Sequence, residues 1–313
     1  MWSLGMSLKF WVLLGLTILL AYGCGAGPDP YGQQVNRTTT LAIQGQQWFS
    51  QGDLRRAARD FGRALEISQS IDYPAGVAQQ LNNLGAVALE QGNLETAQEL
   101  FNQALSLNQE IPDWAAASTN LANLATIAQK SGNLARAGEY LQAALAAAER
   151  SGANTARGRI LCQLASWYLA QQDQGSAAVL LTQARPLATT PALQGTLNHH
   201  WGRLRLRQGN HLAALKHFNQ ALAADREILE RAAMAADLFG LAETYEAQGE
   251  LDQAFYYYSR AFDVYAALGK KARSEECRER LRQVNHKGRL GHSLKRFESQ
   301  SEQTSSEKNQ PAS

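Results

Sequence analysis

Between residues 38 and 268 apolar and small side chains return every three or four positions, the period of amphipathic helices, and this pattern itself repeats on a longer scale. Its unit is a Gly followed by Leu two later, Ala five later, an aromatic or Leu nine later, and Ala-Leu at twelve and thirteen. It reads Gly52-Leu54-Ala57-Phe61-Ala64-Leu65, then Gly92-Leu94-Ala97-Phe101-Ala104-Leu105, then Gly132-Leu134-Ala137-Leu141-Ala144-Leu145. The last copy is Gly249-Leu251-Ala254-Tyr258-Ala261-Phe262. Two weaker copies intervene, one with Gln172 in place of Gly, then Ala177, Leu181 and Ala184, the other with Gly209, Ala214, Phe218, Ala221 and Leu222. Successive turn positions lie 40, 40, 40, 37 and 40 residues apart.

A second constant pattern precedes each turn. Leu81, Leu121, Leu161 and Leu238 stand eleven residues before it, with Asn198 breaking the series, and Gly45, Gly85, Ala125, Ala165, Gly202 and Ala242 stand seven before. Each unit therefore predicts two helices joined at the Gly, which accepts the positive φ that ends a helix. Asp53, Asn93, Asn133, Asn210 and Glu250 follow as caps or favourable first-turn charges. Small residues let the two helices approach, and the aromatic is expected to fill the gap between successive units. One unit cannot bury its own apolar face, so the units must stack.

These residues resemble the tetratricopeptide repeat family over about residues 38–268, and the run Leu81-Asn82-Asn83-Leu84-Gly85 is similar to the longer repeats of kinesin light chains. The resemblance implies an all-α fold: a right-handed α-α superhelix of about six helix pairs, sealed by a C-terminal capping helix over 269–290. The capping stripe is expected to be Ala272, Cys277, Leu281 and Val284. The tail from 291 to 313, rich in Ser, Gln and Glu, is expected to be disordered.

The family also implies a function. In such a solenoid the first helix of each pair lines the concave face, and kinesin-light-chain-like relatives use asparagines there to hold the backbone of an extended peptide. Nine residues before the turn lie Asn83, Asn123, Gln163 and His200; six before lie Thr126, Ser166 and Arg203. These seven are the candidate peptide-binding groove. Asn and Gln amides both donate and accept, which suits a peptide backbone.

The amino terminus resembles a bacterial lipoprotein leader. Phe10–Tyr22 is apolar except for Thr17 and follows Lys9, and Gly23 precedes Cys24. Thirteen helical residues rise about 20 Å, short of a bilayer core. The expected division is a signal peptide over 1–23, lipidation at Cys24 and a tether over 24–37. Ala21 and Tyr22 depart from the usual residues before such a cysteine, so an ordinary secretory signal or an uncleaved anchor stays open. Gly25 is not the Asp associated with inner-membrane retention. The resemblance thus implies a bacterial envelope protein, lipid-anchored, at the outer membrane and facing the periplasm.

Composition changes this picture little. The whole chain carries a net charge of +2, yet Lys270–Arg296 holds ten Lys/Arg against three Glu. That run reads as a solvated capping helix, with anionic lipid and nucleic acid as other partners for such charge. Export and the lack of any nucleic-acid motif argue against nucleic acid. Cys162 and Cys277 form neither a disulfide framework nor a zinc spacing. Four histidines, His199, His200, His211 and His217, crowd the fifth unit without matching a metal template. Within Phe255-Tyr256-Tyr257-Tyr258, an exposed Tyr would mark a partner patch. No catalytic constellation and no cofactor motif stands out. The expected function is a membrane-anchored scaffold for a protein or peptide partner, with assembly of an envelope complex as the expected use. The other readings are a metal-dependent or catalytic protein using the histidines, and a lipoprotein whose repeats stack between molecules.

Overall fold

The computed structural model describes residues 29–297. The leader and Cys24 lie outside them. Thirteen α-helices follow one another: α1 Pro30–Ser50, α2 Leu54–Ser70, α3 Pro74–Glu90, α4 Leu94–Glu110, α5 Trp114–Lys130, α6 Leu134–Ser151 and α7 Asn154–Ala170. Then come α8 Gln174–Ala184, α9 Pro191–Arg207, α10 His211–Glu227, α11 Arg231–Gln248, α12 Leu251–Ala267 and α13 Lys271–Gly288. They form six antiparallel pairs and a terminal helix, and no strand occurs among the described residues.

The turns follow the chemistry of their residues. Gly52 and Gly92 take φ of +83° and Gly249 +82°, where a side chain would crowd the backbone. In the fourth unit Gln172 adopts φ +67° without that freedom. Asp53, Asn133 and Asn210 accept from the backbone N–H three residues on, as caps should, and so does Asp173. Asn93 and Glu250 make no such side-chain bond. The 37-residue period has a local cause: α8 stops after 11 residues, where Pro186 enters a single 3₁₀ turn, Arg185–Leu187.

The aromatic packs between successive units, as expected, and also on the small residue of its own pair. Phe61 and Phe101 lie over Gly45 and Gly85 of their own first helices, where an added Cβ would meet the ring at 2.5 and 2.7 Å. The same rings reach the next unit: Phe61 shares a core cluster with Val87, Phe101 with Leu124 and Ile127, and a Cβ would meet the Phe218 ring at 2.8 Å from Gly202 and 2.4 Å from Gly240. The small residue and the aromatic thus secure both the close approach of paired helices and the joint between units.

Two boundaries move. Helix α1 begins at Pro30, so residues 30–37, expected in the tether, are helical, and Thr38 is buried. Pro fits the first turn because its missing N–H would have had no partner there. At the other end, residues 291–297 pack instead of fraying. Asn285 bonds the backbone of His292 twice, at 3.0 and 3.1 Å, and Phe297 is buried against Phe255 and Phe262. Arg278 donates to the Phe297 carbonyl. On α13 Cys277, Leu281 and Val284 are buried while Ala272 is exposed. Much of the basic run is neutralised locally: Arg273 pairs with Glu276, Arg278 with Glu275, Arg280 with Glu243 and Glu246, and Arg296 with Asp263.

The array also touches itself. The turn between α12 and α13 lies against the turn between α1 and α2, where a Cβ on Gly52 would sit 2.5 Å from the Leu268 carbonyl oxygen. Beside it Lys270 Nζ reaches Glu90 Oε2 at 2.6 Å.

Gly240→Ala tests the packing rule. The Phe218 ring is fully buried and has little room to yield, so the variant should lose about 2 kcal/mol in urea unfolding; an unchanged midpoint would count against it.

Candidate functional site

Curvature decides which surface is inner. Each first helix touches the first helix of the next pair (α1 with α3, α3 with α5, and on to α11), whereas consecutive second helices make no comparable contact. The first helices therefore form the tight inner layer, and their remaining face is concave. No helix among the described residues is long and apolar enough to cross a membrane.

The seven candidates lie on α3, α5, α7 and α9 of this layer. Asn83 is half-buried and donates through Nδ2 to Gln80 on its own helix at 3.1 Å. Asn123 donates to Asn82 Oδ1 of the preceding unit at 2.9 Å. Both keep an acceptor oxygen and a second N–H for a ligand. Gln163 is half-buried, and its Oε1 has no donor. Thr126 is turned back on the Ala122 carbonyl at 3.1 Å, and Ser166 is exposed. Arg203 pairs across to Glu243 of the sixth unit at 3.4 Å.

His200 packs edge-on to His199, with ring centroids 5.5 Å apart. Burial, then His199 and Arg203, push its pKa down to about 3, so it is neutral at ordinary pH. Arg159, which the repeat spacing did not single out, joins this wall: Nη2 lies 3.5 Å from Thr119 Oγ1, and burial lowers its pKa. Tyr256 is 52% exposed while Tyr258 is buried and donates to Glu246 Oε2 at 2.8 Å.

Beneath the groove the structure assembles two polar clamps of one topology. In the first, Asn108 at the end of α4 donates to Asn120 of α5 at 2.7 Å, and Asn120 donates to Asn82 of α3 at 3.0 Å. In the second the same three positions hold Asp225, Asp237 and His199, with His199 Nδ1 2.8 Å from Asp237 Oδ1. Each clamp ties two units together through buried side chains. The spacing of twelve residues across the inter-unit turn, Asn108 to Asn120 and Asp225 to Asp237, was the signal available in the sequence.

Chemistry separates the clamps. Burial holds both Asp225 and Asp237 far above the usual carboxylate range, at about 8; the Asp237 charge pushes Asp225 further up, while the bond from Asp225 works against the rise at Asp237. A hydrogen bond between the two carboxyls requires that one of them keep its proton, and Asp237 Oδ2 has no other partner. His199 is pushed down to about 4 by burial, then by Arg203 and Arg273. His217 bonds Asn198 Oδ1 at 3.0 Å and stacks on Trp201. His199, His200 and His217 are thus engaged in their own side-chain contacts, and among the described residues no group of three or more His, Cys, Asp or Glu is placed to hold a metal.

With this geometry established, comparison with known proteins places the chain. The family model for the tetratricopeptide repeat matches residues 45–110, 114–190 and 193–267, so the chain belongs to the tetratricopeptide repeat family. Among solved structures it is similar to the apo form of RapI, at 14% identity with a TM-score of 0.59, covering 83% of this chain and 93% of that one. It is also similar to a Rap protein complexed with Competence and Sporulation Factor, at 13% identity with a TM-score of 0.55, covering 84% and 77%. A third is BtubC (BKLC) from P. vanneervenii, at 20% identity with a TM-score of 0.52, covering 69% and 92%. These likenesses describe the fold. No curated protein matches the chain.

The ionisable clamp sets a pH dependence. Carboxyls with a raised folded pKa stabilise fully below their unfolded value near 4, and that contribution is lost as pH climbs towards about 8. For His199 and His200, whose folded pKa is depressed, stability is intact above about 6.5 and lost as pH falls towards about 4 and about 3. Asp225→Asn with Asp237→Asn copies the amide clamp. Its melting temperature should exceed wild type at about pH 8 and lose the decline between about pH 5 and 8. A wild-type slope in the double variant would refute the retained proton.

Proposed function

We propose that this chain is a scaffold that holds an extended segment of another protein along its concave face, and that it does so at the bacterial envelope. The carrying observation is the inner layer itself: Asn83 and Asn123 stand one repeat apart on adjacent first helices, each with an amide oxygen and an N–H unspent. Gln163 holds the same slot one unit on, with its Oε1 turned inward and buried. Such a row suits a peptide backbone, whose N–H and C=O groups recur at a regular spacing. The similarity to a Rap protein complexed with Competence and Sporulation Factor supports the same use of the fold. The reading assigns the chain no reaction, and its polar inner face is organised for contact rather than for bond-making.

The envelope part rests on the leader and Cys24. A lipid on Cys24 would hold the groove within a few nanometres of the membrane and raise its effective concentration for membrane-bound partners. Gly25 favours the outer membrane. Assembly of an envelope complex fits that geometry.

Pulldown from detergent-solubilised envelopes tests the groove. Asn83→Ala with Asn123→Ala should lose proteins that wild type recovers while keeping its melting temperature within a few degrees, since Asn83 bonds only within its own helix and Asn82, which loses Asn123, still accepts from Asn120. Equal recovery would sink the assignment. Cys24→Ala should move the protein from the membrane to the soluble fraction; continued membrane association would defeat the anchor.

A further inference from the structure

The one contact between the ends of the array differs in kind from the junctions along it. Those junctions are filled: Phe218 lies against both Gly202 and Gly240, and buried amides or acids bridge neighbouring units. Among the described residues the seam carries one ion pair, the half-exposed Lys270 to Glu90 at 2.6 Å. Beside that pair lies a cavity of about 510 Å³ walled by Phe49, Leu54, Leu89 and Leu268. The pocket opens to solvent and is lined also by Lys130, Lys271 and Arg273, so its apolar groups make no contact across the seam, and an ion pair in water is weak and screened by salt.

The seam nevertheless has a fitted part. Gly52 takes φ +83° like Gly92, but their surroundings differ. A Cβ on Gly92, Gly132, Gly209 or Gly249 meets nothing within 4 Å, whereas one on Gly52 would strike the Leu268 carbonyl. The missing side chain at Gly52 therefore serves both the turn and the approach of the far end. Two ends that fit, yet are weakly fastened, have the properties of a reversible closure.

We infer that this seam is a gate on the concave face: closed, it shuts the flank of the groove, and parted, it admits an extended segment from the side. The inference rests on the groove being the binding surface. The gate itself can be read without any partner.

Spin labels on Gln91→Cys and Lys271→Cys report the seam by pulsed electron resonance in the full chain carrying Cys24→Ser; Cys162 and Cys277 are buried and stay unlabelled. Wild type should give one short distance. Lys270→Glu, which sets two carboxylates face to face, should lengthen it, and adding Glu90→Lys should restore it. Gly52→Ala should lengthen it while Gly92→Ala, with the same backbone strain, should not. Distances unmoved by both Lys270→Glu and Gly52→Ala overturn the gate.

The second arm joins the thiols introduced at 91 and 271 with a bismaleimide and repeats the envelope pulldown. Loss of the recovered proteins on locking is the expected result; equal recovery by locked and unlocked protein overturns the gate. Recovery by neither removes the groove reading and the gate with it, an outcome told apart from a failed seam by distances that still move.

Discussion

Everything in this fold depends on how closely two helices of a pair can lie. The distance is set at the small residue of the first helix: Phe61 on Gly45, Phe101 on Gly85 and Phe218 on Gly202, with Ala125, Ala165 and Ala242 in that slot in the other units. A ring packed there is wholly desolvated and brings the helix backbones together, so one interaction contributes both burial and geometry. Repeated at a fixed period, it fixes the thickness of each unit. Unit thickness and the tight contact between first helices then fix the curvature, and curvature creates the inner face.

Between units the binding is partly polar. The amide clamp at Asn108, Asn120 and Asn82 is neutral at every ordinary pH, so its hydrogen bonds are insensitive to the medium. Its counterpart at Asp225, Asp237 and His199 keeps the topology and replaces amides by groups that exchange protons. Such a cluster holds the fifth and sixth units together only while the carboxyls retain a proton. The fold thus tolerates two chemistries at one joint, because what the joint requires is a satisfied buried bridge.

Much of this was legible in the chain. The recurring Gly and the apolar period gave the helix pairs, and Asp53, Asn133 and Asn210 cap as their positions required. The inner-face slots follow from the repeat register, so Asn83 and Asn123 lie on helices of the inner layer as expected. What escaped was of two sorts. Pro30 and the polar run to Phe297 looked like tether and tail because composition does not show that Pro suits a first helical turn, or that a single Phe finds a pocket between Phe255 and Phe262. Asp225 and Asp237 were not legible in the chain because a lone acid reveals its burial only through its partner, twelve residues away across a turn.

The contact between Gly52 and Leu268 has a mechanical consequence. An open stack of repeats is a rod, and each junction answers only to its neighbours. A rod bent until its ends meet becomes a vernier: the rotations at all its junctions add, and the sum appears as displacement where Lys270 faces Glu90. A slight change in twist at any one joint, such as the one at Asp237, is therefore read out far along the chain at a place it does not touch.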